Sequence, residues 1–201
     1  PECIVYWGHN PMNSGPDGET RFVVRDSLAG KPKTIVVDPR RTELAKNADL
    51  WLQLRPGTDD ALALAMLHTI IEEKLYDAAF VSEWTHGFEA LAERVKRYSP
   101  EWAAPITWVP AEKIRAAARL YAATKPSMME WGCAIEHTPN TIQTVRAISM
   151  LPALTGNVDV PGGWVFGMKG LGRFPSLIEN LTPEMNAKRL GADRFKMLSG
   201  E

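Results

Sequence analysis

Mostly apolar residues run in short consecutive blocks at Ile4–Trp7, Thr34–Val37, Trp51–Leu54 and Ser127–Trp131. Blocks of this length, bounded by turn residues, predict strands buried on both faces, as in a parallel sheet. Elsewhere the apolar positions recur at helical spacing. Phe22, Val23 and Leu28 predict a modest helix closed by Gly30, and Glu43–Asn47 one or two further turns. Ala61–Leu75 is the longest periodic stretch; Leu62, Met66, Ile70 and Leu64, Leu67, Ile71 share a broad face that suits a core rather than a ligand. Asp77–Trp84, Phe88–Tyr98 and Ala111–Ala123 read as three amphipathic helices, and Asn140–Leu154 as another, stopped by Gly156-Asn157.

Strands alternating with helices in this order make β-α-β units with right-handed crossovers. The fold expected is α/β: a Rossmann-like, open, mainly parallel sheet flanked by helices. Gly162, Gly163, Gly167, Gly170 and Gly172 mark an irregular Gly-rich C-terminal tail with weak periodicity. The expected organisation is therefore an α/β domain over residues 1–157 and a connecting segment over 158–201. No internal repeat is visible.

Composition narrows the function classes only a little. The 201 residues are 45% hydrophobic with a formal net charge of -1, which argues against nucleic acid or an anionic membrane as the main partner. No apolar run approaches the roughly 18 residues of a membrane span. Cys3 and Cys133 have no metal-type spacing, and sequence alone neither supports nor excludes a bond between them. The chain opens inside an apparent strand, without an initiator Met or a signal peptide. The reading preferred is a domain cut from a longer chain, with a trimmed terminus as the alternative.

Candidate chemistry lies in the loops that follow the strands, where open α/β sheets bind nucleotides. In the first, Gly8 allows close backbone approach and Asn10 offers donors and acceptors, although Gly-X-Asn-Pro is also ordinary turn chemistry. In the second, Asp38 suits ribose hydroxyls and Arg40 or Arg41 a phosphate; equally, Asp38 caps a helical turn beside solvated arginines. The third loop, Arg55-Pro56-Gly57-Thr58-Asp59, places a carboxylate where a helix N-cap belongs. A carboxylate there also matches the adjacent N1–H and 2-amino donors of guanine. After the fourth strand, His137 could meet a heterocycle or simply lie at the surface. His68 and His86 receive no role. There is no phosphate-binding Gly-rich loop, no Gly-X-Gly-X-X-Gly, no Ser-His-Asp arrangement and no metal-ligand cluster.

Taken in order, these strings resemble the molybdopterin oxidoreductase family, which includes dimethyl sulfoxide reductase, formate dehydrogenase and acetylene hydratase. The matching strings are Trp7-Gly8-His9-Asn10-Pro11, Val37-Asp38-Pro39-Arg40-Arg41-Thr42, Ala48-Asp49 and Leu54-Arg55-Pro56-Gly57-Thr58-Asp59-Asp60-Ala61-Leu62. Trp131-Gly132, Arg146-Ala147-Ile148 and Leu154-Thr155-Gly156-Asn157 through Pro161-Gly162-Gly163 follow in the family's order and spacing. The resemblance covers roughly residues 4–167. It implies a domain holding one guanine dinucleotide arm of a bis(molybdopterin guanine dinucleotide) cofactor that carries molybdenum or tungsten. Carried over by position, Gly8, His9 and Asn10 would line the phosphate and pterin approach, Asp38 and Arg40 the guanosine, and Gly57, Thr58 and Asp59 the guanine base. Cys133 and His137 would lie near the pterin, where relatives often carry Met and Gln.

The resemblance also implies parts not seen in this sequence. These are an iron–sulfur cluster and the metal's protein ligand upstream, a further domain beyond residue 201, and in some relatives an electron-transfer subunit. The parent would be an oxidoreductase of the cytoplasm or periplasm, and the isolated chain inactive. The competing reading is a non-catalytic interaction module on the same scaffold. Its support is the seven Trp residues, since aromatics mark interfaces; self-association through bared faces is the matching expectation.

Overall fold

The computed structural model describes residues 1–14, 20–165, 180–191 and 194. The chain divides into two compact units, Pro1–Phe166 and Gly167–Glu201. The first holds four strands, β1 Cys3–Trp7, β2 Lys33–Val37, β3 Leu50–Leu52 and β4 Ser127–Trp131, in the order β3-β2-β1-β4. All three pairings are parallel, as the consecutive apolar blocks required. The sheet is an α/β sheet of the Rossmann-like type, with helices on both faces.

Alternation along β1 sends its residues to two cores. Cys3, Val5 and Trp7 join Ile35, Val37, Leu52 and Met129 on one face. That face is covered by α4 Asp59–Glu72, with α7 Pro100–Thr107, α8 Ala111–Ala123 and α10 Thr141–Thr155 packed around it. Ile4 and Tyr6 join Val36, Val24, Leu44 and Ala45 on the other face, beneath α2 Thr20–Ala29 and α3 Glu43–Asn47. Every residue of β1 is therefore buried, which fits its central place. α4 is buried nearly all round, from Ala61 to Ile71 apart from Leu64 and His68. Each fully covered Leu, Ile or Met there is worth about 1.5–3 kcal/mol over an exposed one, so α4 is the main weight of the core.

Several boundaries differ from the sequence reading. β3 starts at Leu50 and stops at Leu52, and α6 covers only Phe88–Val95. On α2, Phe22 and Val23 are exposed while Val24 is buried. Two short helical turns, α1 Pro11–Ser14 and α9 Cys133–Glu136, follow β1 and β4 directly. α5 Ala78–Trp84 is capped by Asp77, whose carboxylate accepts from Phe80 N at 3.0 Å. The helix α7 had no counterpart in the sequence reading; it carries two prolines, Pro100 and Pro105. Pro100 stands at the first helical position, where no N–H is needed. Pro105 sits two residues before the end, and Trp108 closes the helix with φ +62°.

Asn157 ties α10 to the start of the edge strand: its side-chain oxygen accepts from Ser127 N at 2.9 Å, and its Nδ2 donates to Thr155 Oγ1 at 2.8 Å. Beyond it Val158 and Trp164 form a single parallel bridge. Most of the expected irregular tail, at 166–179, 192–193 and 195–201, lies outside the described residues, as do 15–19 of the first loop. In the second unit, α11 Pro183–Ala187 is capped by Thr182, whose Oγ1 accepts from Met185 N at 3.3 Å. Among the described residues no helix is long and apolar enough to cross a membrane.

Candidate functional site

The strands end level with one another: Trp7 pairs with Val37 and Trp131, and Val37 with Leu52. From β1 the chain builds outward through β2 and β3, then crosses back to place β4 on the other side of β1. The reversal leaves a crevice between the carboxyl ends of β1 and β4, the position at which open α/β sheets take ligands.

Both lips of this crevice begin with glycine. Gly8 N donates to Val37 O at 2.8 Å and Gly132 N donates to Trp7 O at 3.1 Å, so the sheet's ladder runs one residue past the strands into each loop. Gly8 adopts φ +56°, and a Cβ on Gly132 would collide with Gly8 O and lie 3.1 Å from His9 Cα. Two loops from distant parts of the chain touch backbone to backbone because neither carries a side chain there.

The polar groups above this contact are incompletely paired. The carbonyl of Asn10 accepts from Asn13 N, Ser14 N and Ser14 Oγ, fixing α1. Its side chain is nevertheless 9% exposed, with Oδ1 buried and lacking a hydrogen-bond partner. His9 Nδ1 lies 3.2 Å from Glu130 Oε1. No hydrogen bond is completed between them, and both atoms are buried and unpartnered. Unsatisfied buried polar atoms are rare in folded proteins and cost about 1–3 kcal/mol each. Their concentration at a topological switch is what a ligand would relieve.

Asp38 and Arg40 lie at the end of β2, beside this crevice in the strand order. Asp38 is 3% exposed, and its Oδ1 accepts from Arg40 N at 2.7 Å while Arg40 Nε stands 3.5 Å away. Its carbonyl accepts from Trp51 Nε1 at 2.9 Å. The carboxylate is thus spent on shaping its own loop, and the solvent-facing group is the guanidinium of Arg40, with 73% of its side chain exposed.

The third loop departs from the sequence reading at one residue. Thr58, not Asp59, is the N-cap of α4, and it makes no side-chain cap; its Oγ1 donates to Arg55 O at 2.7 Å. Asp59 is the first helical residue and turns inward, where Oδ1 accepts from the Trp7 indole Nε1 at 2.9 Å. Burial pushes the Asp59 carboxyl above its ordinary value; the Trp7 N–H and the amides of Asp59 and Gly57 pull it down, and the Asp60 charge adds to the rise. Gly57 is exposed at the tip of the loop, with nothing within 4 Å of an added Cβ. The outward acid is Asp60, whose Oδ2 accepts from Asn140 Nδ2 at 2.6 Å.

Cys133 is an exposed free thiol at the start of α9, whereas Cys3 is buried and free. His137 is exposed just after α9, its N–H bonded to Cys133 O at 3.0 Å. The structure therefore brings Gly8, His9, Asn10 and the Cys133 turn together at one crevice, while Gly57, Thr58 and Asp59 stand at the end of β3. Sequence reasoning gave no place to Glu130, and named Gly132 and Trp7 only within the matching strings, without a role. Gly132 was visible as a strand terminator; nothing local singled out Glu130. Among the described residues no group of three or more His, Cys, Asp or Glu is placed to hold a metal ion.

A doubly wound parallel sheet with glycines at its switch point is an α/β architecture that takes ligands at the carboxyl ends of its strands. The sequence matches the molybdopterin oxidoreductase family over residues 1–199. It is 39% identical over 201 residues to acetylene hydratase of Syntrophotalea acetylenica, the match covering 98% of this chain and 27% of that protein. It is 38% identical over 169 residues to formate dehydrogenase H of Escherichia coli K12, covering 84% of this chain and 23% of that one. Among solved structures, acetylene hydratase from Pelobacter acetylenicus matches with a TM-score of 0.72 at 38% identity, over 77% of this chain and 21% of that chain. The chain belongs to the molybdopterin oxidoreductase family, whose members work with a molybdenum or tungsten pterin cofactor. It spans about a quarter of the length of the curated relatives it matches.

Proposed function

We propose that this chain forms one wall of the cofactor site in the catalytic subunit of a molybdenum- or tungsten-dependent oxidoreductase, and that it holds a guanine dinucleotide arm of the pterin cofactor. The observation that carries the reading is the β1–β4 crevice. Gly8 and Gly132 let its two lips pack backbone to backbone, with Ala134 and Ile135 against Gly8, and the buried, unpartnered Asn10 Oδ1 stands at its lip. These features fit a large polar heterocyclic ligand that must approach backbone closely.

In this reading Gly8, His9 and Asn10 face the pterin and phosphates, Cys133 and His137 flank them, and Arg40 supplies positive charge by the guanosine. Asp38 acts by holding the loop from which Arg40 projects. Gly57 and Thr58 form the rim for the base. Asp59 meets it through the lone pairs that Trp7 leaves free, since a carboxylate has about four acceptor sites. Residues 1–157 are the binding domain and 158–201 a connecting segment. When bound, the cofactor supplies two-electron or oxygen-atom chemistry, or hydration without net redox; this chain contributes position and electrostatics. Alone it is inactive. An iron–sulfur cluster, the metal's protein ligand and any electron-transfer partner belong to the larger subunit. Trp84 and Trp108, 75% and 68% exposed, suit contact with that remainder. They are also the feature that favours an interaction module, whose mark would be self-association unaffected by nucleotide.

Guanine selectivity tests the reading. Calorimetry on the chain should show GDP binding roughly tenfold or more tightly than ADP, the discrimination expected of a paired base-edge contact. Asp59→Asn keeps an acceptor for Trp7 but loses the second acceptor oxygen, so it should abolish the preference while leaving the fold intact. Equal binding of GDP and ADP by the unaltered chain would refute the guanine assignment.

A further inference from the structure

His9 and Glu130 form a pair that no loop motif announced. Nδ1 of His9 and Oε1 of Glu130 are both sealed from solvent, lack other partners and lie 3.2 Å apart. The His9 side chain is still 24% exposed, so what it shows to solvent is its other edge, which carries Nε2. Glu130 stands in register with Tyr6 on the neighbouring strand. Burial, then the Glu130 charge, holds the Tyr6 phenol protonated. Among the described residues, His9 is the basic group in contact with Glu130. A small rotation of the ring would turn this close approach into a hydrogen bond and satisfy both atoms.

We propose that Glu130 is a positioning residue for His9. Its Oε1 takes the Nδ1–H, which fixes both the ring's orientation and its tautomer and aims Nε2 across the β1–β4 crevice at an anionic oxygen of the bound ligand. The hydrogen bond at one imidazole nitrogen decides the state of the other. In the free protein the neutral ring carries its proton on Nδ1. An anion at Nε2 is then met by a ring that donates from both nitrogens, to Glu130 and to the anion. The ligand half of this assignment rests on the cofactor reading above; the tautomer half does not.

Long-range proton–nitrogen NMR on the chain labelled with ¹⁵N-histidine tests the two halves separately. The unaltered protein should show His9 protonated on Nδ1, the form that free histidine disfavours in water. Glu130→Ala should return it to Nε2–H. Glu130→Gln, whose carbonyl still accepts, should retain Nδ1–H and serves as the check that the strand still folds. An Nε2–H ring in the unaltered protein, or an Nδ1–H ring that survives Glu130→Ala, overturns the positioning role. Adding inorganic pyrophosphate should then shift the His9 Nε2 signal to its protonated position, with affinity about tenfold weaker in Glu130→Ala. A fixed tautomer that ignores pyrophosphate overturns the ligand half, and with it the placement of phosphate at this crevice.

Discussion

The β1–β4 crevice and the β3–α4 loop are built from similar materials, a glycine and a carboxylate at the carboxyl end of a parallel strand, yet they are finished differently. At the β3–α4 loop the carboxylate of Asp59 is turned inside and bonded to Trp7, so the polar groups there serve the fold. At the crevice Asn10 Oδ1, His9 Nδ1 and Glu130 Oε1 are buried without hydrogen bonds, above two backbones held in contact. At the first, the fold already engages part of the carboxylate's capacity; at the second, three buried polar atoms are left without a hydrogen bond. A polar motif therefore marks a binding site less reliably than a polar motif whose needs the protein leaves unmet.

The comparison can be broken at its strongest point with Gly132→Ala. The new Cβ would be driven into Gly8 O, and because backbone cannot step aside as a side chain can, a loss of about 2–3 kcal/mol is expected. A lower midpoint in urea unfolding, with loss of nucleotide binding, is the measurement; a tolerated alanine would show that the crevice floor is looser than its contacts imply.

The β3–α4 loop should respond to a change of chemistry rather than of size. Asp59→Leu leaves the fully buried Trp7 indole N–H without an acceptor, which should cost about 1–3 kcal/mol. Asp59→Asn, which keeps an acceptor, should cost less than about 1 kcal/mol. Equal losses in thermal unfolding would mean that the indole bond adds nothing to this loop.

The smallest expected effect is a difference in sign with pH. Asp59 has its carboxyl raised above the ordinary 3.8, chiefly by burial, so its ionisation opposes folding. As pH falls from neutral through its folded value the fold regains that energy, fully so below 3.8. Asp77, the cap of α5, is lowered below 3.8 by its bonds to Phe80 N and to Lys125, so its contribution is present above 3.8 and lost as pH falls through its folded value. Unfolding followed between neutral pH and pH 3 should show Asp77→Asn flattening the acid loss and Asp59→Asn removing the opposing gain. If the two variants change the profile in the same direction, the burial of Asp59 has been misread.

The contrast also explains what could be read in advance. β1 and β2 were legible because strands buried on both faces leave nearly unbroken apolar runs, and the half-buried β4 because its short run, like that of β1, stops at a glycine. α7 was not, since Pro100 and Pro105 mimic a loop, although Pro100 takes the first helical position, which tolerates it, and Pro105 lies inside the helix near its end. Asp59 was misplaced because Thr58, Asp59 and Asp60 are all acceptable caps. The choice among them was made by Trp7, fifty-two residues away in sequence, which no local preference contains. Glu130 was silent for a related reason: an acid near the end of an edge strand looks like a solvent-facing residue until His9 is set beside it.

The hydrogen bonds from Gly8 to Val37 and from Gly132 to Trp7 have a consequence in time as well as in space. Because these amides continue the ladder of the central strands, their protons exchange with water only when the sheet itself opens, on the slow scale of the core rather than the fast scale of loops. The floor of the crevice thus has the persistence of the core. A molecule that bound there would meet a surface already set.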